Sequence, residues 1–335
     1  MDPLFHKIIR DRKQVTVRYD SATEAIWTYA NPEECPCFNL EFFQEFHEVQ
    51  QDIIAYFKAY DMNPKIPIKF FVYASQVPGV YGYGGALSGL VKAFKEKDRE
   101  SLETCSLVAI KNMYLNIHNL HLPLQTIAFI EGDALGGAFQ AALSFNAIIA
   151  EEQSQFGLQQ IRFNMCPGIG LYSFLARKVG VVNADRIITN SRLYTAQEIQ
   201  EMGAITEIAR RGEGKKVVDR YMKRYRRSFK VMQTLHAAKL RYAPFEFDEL
   251  EYMASLWVDA MLNLDDEDIA RLEKIADSQR QQIYGIPQRL RAKQDRRFDD
   301  GERDFPIVDA NGNVIAEDRR RTPDPRKNPK KGSEN

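Results

Sequence analysis

The chain has 335 residues, 44% hydrophobic and 27% charged, with 46 lysines and arginines set against 46 aspartates and glutamates. This is the composition of a globular protein long enough to bury a full core, and we expect one large domain with an appendage. Balanced charge supplies no global field for nucleic-acid phosphates or an anionic membrane, so neither is an expected partner and any anionic ligand must meet a local basic patch.

The chain opens MDPLFHKIIRDRK, without an apolar leader, and holds four cysteines, which fits a reducing cytoplasm. The richest apolar stretch, 134–150, is interrupted by Gln140, Ser144 and Asn146 and reads as core rather than as a membrane span. Residues 15–30 carry β-branched and aromatic residues in two runs parted by Asp20 and Ser21, a hairpin that opens the fold. The spacing of Leu40, Phe43, Phe46, Val49, Ile53 and Phe57 predicts a helix over 39–60 with Asn39 as its cap. An apolar run at 66–74 reads as a strand buried on both faces, followed by a glycine-rich loop at 78–85. A long helical pattern at 87–118, a second buried strand at 124–130 and a second glycine-rich turn at 131–139 repeat the arrangement. A third strand at 146–151 precedes helices at 171–178, 183–189 and 196–202, and this alternation indicates an α/β fold. Beyond Gly214 only helices are expected, at 215–240, 246–262 and 265–284. The segment from 289 mixes charges of both signs with prolines and reads as a disordered tail, with one patch at 305–316 able to form a small hairpin.

Neither glycine-rich loop has phosphate-binding spacing. Gly82 and Gly84 begin a G-x-G pattern whose third glycine falls on Leu87, and the Gly132 to Gly137 turn lacks the Lys-Ser/Thr of a P-loop. Ser88 sits in G-A-L-S-G, out of register with a nucleophile elbow. Cys35 and Cys37 lack a second pair at zinc spacing, and His118 and His121 lack an acidic partner, so no metal site is expected. Glycines have another use, in which backbone N–H groups from two loops converge on one carbonyl oxygen as an oxyanion hole. Gly136 and Gly137, opening a small-residue helix, meet that demand as well as they meet close helix-on-strand packing.

The string IEGDALGGAFQAAL at 130–143, followed by FGLQQIRFNMCPGIG at 156–170, resembles the crotonase (enoyl-CoA hydratase/isomerase) superfamily. With L-W-V-D at 256–259, the likeness is strongest to the diffusible signal factor synthase branch, and it covers about 12–285. The resemblance implies a spiral of ββα units over 1–214, then a helical C-terminal region over 215–288 that covers the pocket and promotes homotrimers or hexamers. The tail at 289–335 lies outside it. It also implies a fatty acyl thioester of coenzyme A or acyl carrier protein as substrate, with no further cofactor. The oxyanion donors would be the N–H groups of Gly85 and Gly137, with Gly84 and Gly136 beside them against the thioester carrier.

Family members use two carboxylates as acid and base, but the corresponding positions here hold Gln140 and Gln160, and the acid common in the first loop is Ala86. A carboxamide keeps the shape of a carboxylate and neither takes nor releases a proton near neutral pH. Each positioned acid or base is worth about 100- to 10,000-fold, so ordinary two-glutamate hydration is unsupported. The backbone hole, worth about 100- to 1000-fold per donor, survives. Three readings follow: thioester chemistry through other groups, with Tyr81, Tyr83, Cys166 and Tyr172 as candidates; a catalytically inactive relative that binds or regulates; or a deliberate Glu-to-Gln pair, against which the missing acid at Ala86 speaks. The basic run Lys215, Lys216, Arg220, Lys223, Arg224, Arg226, Arg227 and Lys230 is either a solvated helix face or a patch for carrier phosphates or an acidic carrier protein.

Overall fold

The computed structural model describes residues 2–32, 35–63 and 65–285, together with short strands at 307–308 and 314–315. A helix comes first. In α1 (Pro3–Ile9) proline takes the first position, Asp2 accepts a hydrogen bond from the Leu4 N–H at 2.8 Å, and Phe5 and Ile8 are buried. This corrects the expectation that a hairpin opens the chain; seven residues make less than two turns, too few for a periodic pattern to register. The hairpin follows as β1 (Val15–Asp20) and β2 (Ala25–Ala30), antiparallel from Val15↔Ala30 to Asp20↔Ala25. Then α2 (Leu40–Ala59) starts where Asn39 accepts from the Phe42 N–H at 2.8 Å, the cap that the sequence signals.

A strand–turn–strand unit then recurs. β3 (Phe70–Ser75) leads into β4 (Val80–Gly82), β5 (Gln125–Ile130) into β6 (Asp133–Leu135), and β7 (Ala147–Glu151) into β8 (Gln155–Gly157). The second strands, with β9 (Leu193–Thr195), form a small sheet ordered β4-β6-β8-β9. The first strands, with β10 (Glu207–Ala209), form the main sheet, ordered β1-β2-β3-β5-β7-β10 and parallel from β2 onward. β3 begins only after Pro67, whose missing N–H cannot join a ladder. The units are joined by α3 (Leu87–Glu96), α4 (Arg99–Ile117), α5 (Gly137–Leu143), α6 (Leu171–Val179), α7 (Val181–Asn190) and α8 (Ala196–Glu201). The helical pattern at 87–118 is thus two helices: Lys97 adopts φ +52, and Asp98 recaps the chain by accepting from the Ser101 N–H at 3.1 Å.

Alternation along β3 separates two cores. Phe70, Val72 and Ala74 pack with Trp27 and Phe129, whereas Phe71 and Tyr73 pack with Phe46 and Phe145. The first core is closed by α9 (Gly214–Arg227), which buries Val217, Val218, Tyr221, Met222 and Tyr225. The single helix expected at 215–240 breaks at Ser228, because the apolar face ends there and α10 (Phe229–Tyr242) buries no residue. α11 (Phe247–Leu262) packs against α4, and the opening turns of α12 (Asp266–Gly285) join α3 and Trp257 in a third cluster with Phe94, Met261 and Leu272.

This compact unit runs Met1–Ile283. In the second unit, Tyr284–Asn335, β11 (Ile307–Val308) pairs antiparallel with β12 (Val314–Ile315), the strands of the expected small hairpin. The remainder of 289–335, read as disordered from composition, lies outside the described residues.

Lys178, near the end of α6, donates to the Phe145 carbonyl at 3.0 Å, and burial, with Lys239 nearby, lowers its amine from 10.5 to about 8. The unfolded chain therefore holds this proton more tightly, and the stability contribution present above pH 10.5 is lost as pH falls through about 8. Lys178→Met is expected to raise the melting temperature at pH 7 and to lose that advantage above pH 10.5. Thermal unfolding at both pH values checks this, and an equal shift at both contradicts it.

Candidate active site

The loop after β4 is tied to the segment before α2 by a parallel bridge between Phe38 and Gly85. The Phe38 N–H donates to the Gly84 carbonyl at 2.7 Å, and the Ala86 N–H donates to the Phe38 carbonyl at 2.8 Å. In a trans peptide the C=O and N–H point oppositely, so with the Gly84 carbonyl on Phe38 the Gly85 N–H faces the other way. Gly137 is the first residue of α5, where an N–H has no partner within its own helix. Among the described residues neither N–H has a protein acceptor. α5 has only seven residues, so it supplies a directed N–H rather than a long helix dipole.

The two loops touch. Gly84 has φ +88, and a Cβ there would lie 2.6 Å from the Gly137 nitrogen. A Cβ on Gly137 would meet Gly84 Cα at 3.4 Å and the Gly85 nitrogen at 3.5 Å. Only glycine allows this approach at position 84, and it sets the Gly85 and Gly137 backbones side by side on one cavity wall.

That cavity, of about 740 Å³, brings Gly85, Gly136, Gly137, Gln140 and Gln160 together. Phe38, Phe42, Phe46, Tyr73, Met113 and Phe145, which belong to one hydrophobic cluster, are in its lining. Trp257, Leu272, Ile275 and Gln279 from α11 and α12 line it as well, the first three from a separate cluster. Gln279 also joins the glycine loop, its Oε1 accepting from the Leu87 N–H at 3.2 Å.

The two amides have different surroundings. Gln140, 3% exposed, donates from Nε2 to the Ile169 carbonyl at 2.6 Å. Ile169 adopts φ +49, a costly left-handed conformation for a β-branched residue, held between Gly168 and Gly170. Gln160 opens a short 3₁₀ turn and is half-buried, with Nε2 3.3 Å from where a Cβ on Gly136 would sit. Its Oε1 is buried without a donor among the described residues.

Of the alternative groups, Tyr83 and Cys166 line the cavity. Burial raises the Tyr83 phenol, with the nearby Asp133 charge adding to it, and burial also raises the Cys166 thiol, so neither is ionised near neutral pH. Tyr81 is instead a core residue, 1% exposed and edge-on to Tyr73 at 5.3 Å, with burial pushing its phenol far above the ordinary value. Tyr172 lies outside the cavity lining, 39% exposed and donating to Asp185 Oδ1 at 2.9 Å.

Sequence reasoning passed over Asp133. It lines the cavity and, among the described lining residues, is the one side chain of carboxyl, amine, guanidinium or imidazole type. Desolvation raises its carboxyl above the ordinary value, against a backbone hydrogen bond from Gln155. An acid two residues before Leu135, on the cavity side of β6, was the available signal. Apart from Lys230 on α10, the basic run lies on α9, where Lys216, Arg220, Lys223, Arg224 and Arg227 line a separate open groove rather than the cavity. His118 and His121 stack at 5.1 Å, and no cluster of metal-ligating side chains occurs among the described residues. No described helix is long and apolar enough to cross a membrane.

Residues 28–245 match the family model for enoyl-CoA hydratase/isomerase. A 142-residue stretch is 30% identical to mitochondrial methylglutaconyl-CoA hydratase of Mus musculus, covering 42% of this chain and 43% of that one. Another of 82 residues is 33% identical to 2,3-dehydroadipyl-CoA hydratase of Escherichia coli K12, covering 24% and 32%. The matched part thus spans less than half of these curated relatives. Among solved structures, the fold is similar to enoyl-CoA hydratase from Bacillus halodurans, with TM-score 0.64 at 19% identity over 78% of this chain and 100% of that one. It is also similar to Pseudomonas aeruginosa DspI, with TM-score 0.53 at 18% identity over 74% and 96%. Such identities speak for the fold, whereas the family model spans more than half of the chain: the chain belongs to the enoyl-CoA hydratase/isomerase (crotonase) family.

Proposed function

We propose that the protein binds a fatty acyl thioester, carried on coenzyme A or acyl carrier protein, with the carbonyl oxygen between the Gly85 and Gly137 N–H groups. The observation that carries this reading is the pair of unpartnered N–H groups held side by side on the wall of a largely apolar cavity. Two preorganised donors stabilise the negative charge of an enolate or tetrahedral oxygen, and the largely aromatic lining set of Phe38, Phe42, Phe46, Tyr73 and Phe145 suits an acyl chain. We take the protein to be a relative of the dehydratase–thioesterases that make fatty-acid signals, supported by the resemblance of the segments at 130–143, 156–170 and 256–259 to that branch. Gln140 and Gln160, at the positions of the family's two carboxylates, make two-glutamate hydration the wrong mechanism here.

A second reading, an inactive relative that binds or regulates, is favoured by one contact. The Gln140 amide donates to a carbonyl, which a carboxylate cannot do. We further propose a homo-oligomer, because α10 buries no residue and leaves Val231 61% and Tyr242 92% exposed.

Calorimetric titration with octanoyl-CoA and octanoyl-acyl carrier protein, followed by assay of 2-enoyl and 3-hydroxyacyl thioesters, tests the proposal. Saturable binding without ordinary hydration is the expected result. Failure to bind either carrier overturns it.

A further inference from the structure

Both positions from which the family moves protons hold amides, yet the cavity is not without a proton carrier. We propose that Asp133 is that carrier, a catalytic residue that removes and returns a proton at C2 of an acyl thioester held by Gly85 and Gly137. The proposal rests on the thioester reading above.

Position comes first. Asp133 and Leu135 occupy alternate places on β6 and both line the cavity, while Ala134 between them is fully buried in the core. The chain then runs directly into Gly136 and Gly137. On the neighbouring strand β4, Val80 pairs with Asp133, and the residues after β4 lead to Gly84 and Gly85. Asp133 therefore stands on the strand pair whose two exits supply the two N–H groups. Tyr83, on the first of those exits, feels its charge.

The chemistry of the lining leaves little choice. Cys105 is raised to about 11, Cys166 and Tyr83 are raised by burial, and Tyr73 lies far above the ordinary phenol value. None of them exchanges a proton readily near neutral pH. Asp133 is half-buried and bonded by the Gln155 backbone N–H, and no cation pairs with it among the described residues. Burial lifts its carboxyl above the ordinary range, and a carboxylate so lifted is a stronger base than one in water.

In the step itself the C2–H bond breaks and its proton forms an O–H bond on an Asp133 oxygen. The C–H electron pair becomes the C1=C2 bond, and the carbonyl pair moves onto the thioester oxygen, where the two N–H groups hold the enolate. Reversal returns a proton to C2. No oxidant, metal or second substrate is needed, and a single carboxyl serves as both base and acid.

The test is hydrogen exchange in heavy water. Octanoyl-CoA and octanoyl-acyl carrier protein are incubated with the protein and deuterium at C2 is read by mass spectrometry, with binding measured in parallel. Wild type is expected to exchange. Asp133→Asn, nearly isosteric, is expected to lose about 100-fold or more of the rate, while its affinity stays within about threefold of wild type. Asp133→Glu, which keeps a carboxylate, is expected to restore part of the rate. Exchange that persists undiminished in Asp133→Asn overturns the proposal, as does a wild type that binds and does not exchange, a result that needs no variant to fold. A wild type that binds neither probe overturns the thioester reading instead.

Discussion

Gly137→Ala is expected to abolish C2 exchange while leaving the fold intact, and Gly84→Ala is expected to damage both exchange and fold. At position 137 a Cβ meets nothing nearer than 3.4 Å, an ordinary contact, so the chain accommodates it. The methyl group nonetheless sits 3.5 Å from the Gly85 nitrogen, in the space proposed for the thioester oxygen. Displacing the oxygen from even one donor is worth about 100- to 1000-fold. At position 84 a Cβ would fall 2.6 Å from the Gly137 nitrogen, a backbone atom that cannot swing aside, and φ is +88. The left-handed conformation alone costs an alanine about 1 to 2 kcal/mol, and the overlap adds to it. Thermal unfolding of the two variants, run beside exchange and binding assays, separates the effects. Equal melting temperatures for wild type and Gly84→Ala would sink the packing argument, and undiminished C2 exchange in Gly137→Ala would sink the site.

Gln140→Glu has the second largest expected effect, on stability and with a defined pH dependence. The Ile169 carbonyl at 2.6 Å accepts a hydrogen bond from the buried amide. A carboxylate in its place offers no proton and presses oxygen against oxygen, whereas the neutral acid can donate. The folded chain therefore raises the new carboxyl above its unfolded value of about 4.3. Its sign follows from linkage: the variant is close to wild type below the unfolded pKa and loses stability as pH rises through the folded one. At pH 7 the loss should be about 2 to 4 kcal/mol, the range for a buried group left unpaired or carrying an uncompensated charge. Denaturant unfolding of both proteins at pH 4 and pH 7 measures it, and a pH-independent difference contradicts the account. Gln160→Glu is expected to be milder, because residue 160 is only half-buried and its Oε1 has no partner to lose.

The long elements were legible because each carries a strong local signal. Predominantly apolar runs mark β3, β5 and β7, which are buried on both faces, and Asn39 announces α2 by capping it. The small sheet was not legible. Val80–Gly82, Asp133–Leu135, Gln155–Gly157 and Leu193–Thr195 have three residues each, less than two periods of alternation. For the same reason Asp133 read as part of a turn rather than as a side chain facing a cavity. Tyr81 and Tyr83, two apart, would share a face on a regular strand. But the β4–β6 register shifts between Val80 and Gly82 and the strand ends there, so Tyr83 lies beyond it; Tyr81 is in the core and Tyr83 lines the cavity. The glycines were found from sequence as a block, but their mutual contact depends on a bridge from Phe38, 47 positions before Gly85, which no local pattern encodes. Nor does composition reveal that Ile169 takes a left-handed conformation to present its carbonyl to Gln140.

The claim on which the rest depends is the position of the thioester oxygen. A crystal structure of the protein with octanoyl-CoA tests it most directly. The account predicts that oxygen within about 3 Å of both the Gly85 and Gly137 nitrogens, with the acyl chain along Phe38, Phe42 and Phe46. A thioester oxygen remote from both nitrogens, in a complex whose acyl chain occupies the cavity, would contradict it.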